Sequence, residues 1–151
     1  MTDRADFTAD EWATLRSSLI SAAELVSLSG GRSGMAREMA SVTRMLKTAK
    51  VRHHSQLVRE LASESPRTVI GPDMSPGEAE EPVLAVLRAA AAILSSKASG
   101  ELEAFQSFVV QLAEVAADAT KSGGVFGIGG QRVSYAEGSA LAKVREALGV
   151  V

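Results

Sequence analysis

The chain has 151 residues, 46% of them hydrophobic and 23% charged, with a net charge of −2. That size suits one domain with a real core, and the balance excludes both a disordered chain and a globally basic nucleic-acid binder. The absence of cysteine removes disulfides, thiolate zinc sites and thiol nucleophiles from consideration.

The opening "FTADEW" carries a helix start. Thr8 caps, Glu11 closes a capping box three residues on, and Phe7 and Trp12 occupy the two positions of a hydrophobic staple. Trp12, Leu15, Leu19, Ala22 or Ala23, and Val26 then recur at three-and-four spacing, which predicts an amphipathic helix broken by "SGGRSG" at residues 29–34. A second helix is expected from Met35, Met39, Val42, Leu46 and Ala49, whose spacing forms one apolar stripe. Met45 lies just off that stripe, and the methionines read as core filling rather than as an adaptable partner surface. A short third helix covers "HSQLVRELAS", with Leu57, Val58 and Leu61 inward. Residues 63–82 hold all four prolines, so a long connection between two helical halves is expected there.

Pro82 suits the first turn of a fourth helix, which runs through the alanine-rich "VLAVLRAAAAILSSK". Ala89 to Ala92 within it allow close helix approach. Ser99 is placed as the cap of a fifth helix with Leu102, Phe105, Val109, Leu112, Ala116 and Ala119 on one face. Lys121 suits its last turn, and Gly123 or Gly124 its end. Ser134 and Glu137 form another capping box, opening a terminal helix with Leu141, Val144 and Leu148. No sheet can be assembled from such a chain. The expected fold is all-α, an irregular antiparallel bundle of five to six helices.

The stretch "MTDRADFTADEW" has no apolar h-region, and the longest apolar run, "VLAVLRAAAAIL", is about 18 Å long as a helix and contains Arg88. A cytoplasmic location is expected.

Two stretches are candidates for function. In "GGVFGIGGQRVS" the glycines precede a helix, and Phe126, Gly127, Gly129, Gly130 and Arg132 suggest a cradle for an anion or small molecule within the segment 123–130 and its flank. The motif departs from a P-loop or dinucleotide fingerprint, since a helix precedes it and its ending is Gly-Gly-Gln-Arg; a chain turn with an apolar plug is the plainer reading. Residues 32–59 hold seven lysines and arginines against one acid, Glu38, giving +6 and leaving −8 elsewhere. A solvated face partly neutralised by the acidic connection is the plainer reading, and a basic surface marked by Arg37, Arg44 and Lys47, meeting nucleic acid, an anionic lipid surface or an acidic partner, is the weaker alternative. Without an aromatic residue to stack on bases or a helix-turn-helix signature, the stretch argues against nucleic acid.

Chemistry finds little support. His53 and His54 are adjacent, so if helical they diverge by about 100° and share no metal. Glu11, Glu24, Glu38, Glu60 and Glu103 fall mostly beside the apolar stripes, on faces expected to be wet. "GRSGM" lacks the setting of a nucleophile elbow. The expectation is therefore a non-catalytic protein without cofactor or metal, acting through a protein partner or as a homodimer, with the alanine-rich fourth helix or the Phe-bearing fifth as the interface.

The end motifs F-T-x-x-E-W and G-G-x-F-G-x-G-G-x-x-V-S resemble those of a group of small uncharacterised bacterial helical proteins. The resemblance implies a helical bundle in a bacterial cytoplasm and carries no activity, cofactor or catalytic residue across.

Overall fold

The computed structural model describes residues 2–123 and 134–150, the side chains of 118–123 excepted. Among the described residues the elements are helical throughout, in the order α1 (Ala9–Ser29), α2 (Met35–Arg52), α3 (Gln56–Ser63), α4 (Pro76–Lys97), α5 (Ser99–Gly123) and α6 (Tyr135–Leu148). This is the expected all-α bundle.

Helix α1 starts as its sequence dictates. The Thr8 hydroxyl accepts from the Glu11 N–H at 3.1 Å, while the Glu11 carboxylate accepts from the Thr8 N–H at 2.8 Å. Phe7 and Trp12 sit with ring centroids 5.9 Å apart, so the staple also forms. The helix is not amphipathic, however. From Ser17 to Leu28 every residue but Glu24 is buried, because α4 and α5 pack extensively on it and α6 and α2 add further cover. A serine-rich helix tolerates this because its hydroxyls find nearby acceptors: Ser18 donates to the Leu15 carbonyl at 2.8 Å and Ser21 to that of Ser17 at 2.6 Å.

Helix α2 turns Val42, Leu46 and Ala49 into the core, with Met35, Met39 and Met45 packed half-buried around them. After Arg52 the chain leaves the helix at His53, which is extended (φ −65°, ψ 141°), and Ser55 caps α3 through its hydroxyl. Residues 64–75 then cross α1 as a strap. Glu64 accepts from the Trp12 indole N–H at 2.5 Å, the Ser65 carbonyl accepts from Arg16 at 2.7 Å, and the Val69 N–H donates to the Ser21 hydroxyl at 3.3 Å.

The connection is shorter than expected. Helix α4 begins at Pro76, capped by Ser75 in a box with Glu78, so Pro82 lies inside the helix and not at its start. "SPGE" has the sequence form of a capping box with proline at the first helical position. Pro82 forfeits one backbone bond on the exposed side of the second turn, where its ring meets solvent and not core. Ser99 likewise stands within α5 as its first residue, and Ala98 ends α4.

Helix α5 supplies Phe105, Phe108, Val109, Leu112, Ala113 and Ala116 to the core. Both phenylalanines are fully enclosed, which removes the Phe-bearing face as an interface. Helix α6 opens with the expected box at Ser134 and Glu137, and it ends at Gly149 in the left-handed region (φ 82°). Among the described residues no helix is long and apolar enough to cross a membrane.

Candidate functional site

Five cations of α2 (Arg37, Arg44, Lys47, Lys50 and Arg52) are exposed. Their placement follows from the apolar stripe: once Val42, Leu46 and Ala49 face inward, the residues between them face out. Arg37, Arg44, Lys47 and Val51 follow one another at steps of seven, three and four, which aligns them in one row along an 18-residue helix about 27 Å long. Val51, in the last turn of this face, is 70% exposed.

The single acid of α2 points the other way. Glu38 is 2% exposed and its carboxylate accepts from the Ser27 hydroxyl at 2.6 Å. The expectation that Glu38 sits on a wet face is thus corrected: it lies one residue off the stripe and is close enough to α1 to be drawn into the interior. Its inward turn leaves the outer face of α2 with cations and no acid.

These cations are also uncommitted among the described residues. Ion pairs there involve Arg4, Arg16, Arg88, Lys97, Lys143 and Arg145, and none of the five. Among the five cations, Arg44 donates to the Ser41 hydroxyl at 2.9 Å. The acidic connection forms no ion pair with the face; Arg32 reaches the connection but donates to the Met74 carbonyl at 2.7 Å. The α2 face is therefore a field of free positive charge, and the expected local neutralisation does not take place by direct pairing.

Other concavities lack this character. A groove of about 450 Å³ between α4 and α6 is bridged by the Glu80–Lys143 ion pair, and Arg88 on its wall pairs with Glu81 at 2.5 Å. Both of its cations are thereby committed to acids of α4. A neighbouring hollow of about 270 Å³ runs past Leu25, Pro76 and Tyr135, and the Tyr135 ring stands 90% exposed at its edge.

The two histidines also depart from expectation. Neither is helical, and their rings stack with centroids 4.5 Å apart while His53 meets Phe108 edge-on at 5.2 Å. Burial pushes the His53 pKa down, the nearby His54 and Arg59 reinforce the shift, and Glu101 opposes it. A Ser-His-acid relay does not result. His53 Nδ1 accepts from the Ser55 backbone N–H at 3.0 Å, and the Ser55 hydroxyl donates directly to Glu101 at 2.6 Å, so the imidazole takes no proton from the hydroxyl. No group of three or more potential ligands among the described residues could hold a metal ion.

Glu24 is a further acid that the stripe reading placed in water. It is half-buried beneath the strap, burial raises its pKa, and a hydrogen bond from Thr68 partly offsets that rise. Phe126, Gly127, Gly129, Gly130 and Arg132, the proposed cradle, lie outside the described residues. No family model matches the chain, and no curated protein or solved structure matches it either.

Proposed function

We propose that this protein is a non-catalytic, cytoplasmic interaction module that docks an anionic macromolecular partner on the outer face of α2. The supporting observation is the coincidence of five exposed cations, no outward acid and no ion pair on one helix face. Unpaired surface cations concentrated in this way attract a polyanion over a Debye length of about 8 Å at physiological salt. The −8 carried outside residues 32–59 orients the approach. The test is binding of heparin, a soluble polyanion, by fluorescence anisotropy across a salt series. Wild type should bind at low salt and weaken steeply as salt rises, while Arg37→Gln, Arg44→Gln and Lys47→Gln combined should abolish most of the signal. Equal binding by wild type and the triple variant would refute the assignment.

Self-association is the second reading, and α4 favours it. Ala85, Ala89 and Ala92 are exposed at steps of four and three on its outer side, where small side chains permit close helix approach. Light scattering at micromolar protein decides the point: a dimer supports this reading and a strict monomer removes it.

A further inference from the structure

We propose that the anionic partner of the α2 face is the surface of a phospholipid bilayer; this inference rests on the docking reading above and specifies its partner. Three observations favour a lipid surface over an acidic protein or a nucleic acid.

The first is the apolar residue within the charged face. Val51 is one of two large hydrophobic side chains left exposed among the described residues; it lies in the last turn of α2 with Lys50 and Arg52 beside it and Lys47 one turn before it. Seated among headgroups, those cations place Val51 at the acyl boundary, where an apolar side chain gains by leaving water. A phosphate backbone offers Val51 nothing comparable.

The second is the freedom of the cations. Of the five, Arg44 alone has a side-chain partner among the described residues, the Ser41 hydroxyl. Long unfixed side chains suit a fluid array of headgroups, whose charges adjust to meet them. Recognition of a defined carboxylate or phosphate pattern uses arginines held in place to present a fork. The third is breadth. At 100° per residue the cations spread over roughly 200° of the helix circumference, with Lys50 and Arg52 at its two margins. The long stems at those margins can bend toward a flat surface and keep their heads in the headgroup layer. The face has no aromatic residue on which a base could stack.

The experiment is sedimentation of the full chain with vesicles of phosphatidylcholine alone and with about one third phosphatidylserine, beside the heparin assay. Wild type should sediment with the serine-lipid vesicles at low salt and stay in the supernatant with phosphatidylcholine. Neutralising Arg37, Arg44 and Lys47 together should lower partitioning roughly a hundredfold, given the usual contribution of each cation near an anionic leaflet. Val51→Ser should weaken vesicle binding about fivefold and leave heparin binding unchanged. All these residues are exposed, so unchanged circular dichroism is expected for every variant. Binding to heparin without binding to vesicles would overturn the lipid assignment and leave the docking reading intact. An equal effect of Val51→Ser on both ligands would also overturn it. Absence of binding to either would remove both.

Discussion

Gly30→Ala tests how α6 is fixed to the rest of the bundle. Gly30 ends α1 in ordinary right-handed geometry (φ −83°, ψ −2°), so alanine meets no backbone penalty there. A methyl group would, however, lie 2.6 Å from Glu137 Oε2, 2.7 Å from Cδ and 3.0 Å from Cγ. The obstructing side chain is not free to swing away: Glu137 is 3% exposed, and its other oxygen accepts the Ser134 N–H that closes the α6 capping box. Making room therefore combines overpacking with loss of half a cap, about 2–4 kcal/mol in total. For a domain of this size that lowers the melting temperature by about 4–16 °C. Thermal and urea unfolding measure it. Adding Glu137→Ala should recover part of the loss, so the two substitutions should be strongly non-additive. Gly31→Ala is the control: Gly31 has φ 101° with nothing within 4 Å, so its cost is backbone strain and should add simply to that of Glu137→Ala. A Gly30→Ala protein within about 0.5 kcal/mol of wild type, or strict additivity with Glu137→Ala, would refute the close approach of α1 and α6.

Two further predictions concern protonation. Burial raises the Glu24 pKa above 4.5, so between 4.5 and the folded value the native state holds the proton more tightly and stability falls as pH rises. Glu24→Gln should therefore raise the urea midpoint at about pH 7 and lose that advantage at about pH 4; a variant less stable than wild type at neutral pH would contradict the buried placement. His53 has the opposite sign. Its pKa lies below 6.5 in the fold, so the unfolded chain binds the extra proton first, and the stability present above 6.5 is lost as pH falls through the folded value. Melting curves between about pH 7.5 and 5.5 should show this loss, and His53→Gln should flatten it; an equal slope in the variant would place the titration elsewhere.

Local signals in this sequence were readable where a short pattern has one physical solution. "TADE" and "SYAE" specify reciprocal caps, and both form. "SPGE" obeys the same rule at Ser75, but the concentration of prolines around it reads as a loop and favours a start at Pro82, whereas α4 begins at Pro76. Burial on α1 was harder to read. Its serines imply a polar side by composition, yet four of them are buried, and backbone carbonyls or Glu38 accept the protons of Ser18, Ser21 and Ser27. Periodicity on α5 marked the inward face and, read alone, could not distinguish a core from an interface; packing against α1 and α2 decides for core. The basic face of α2 was legible as net charge. That its acid turns inward and its cations stay unpaired depends on how neighbouring helices meet it, which sequence spacing does not contain.

The most direct test of the account is a heteronuclear amide titration of the full chain with a short heparin fragment at low salt. The account predicts shifts concentrated on Arg37, Arg44, Lys47, Val51 and their neighbours along the outer side of α2, reversed by added salt. Shifts confined to α4 or α6, with the α2 amides unmoved, would contradict it.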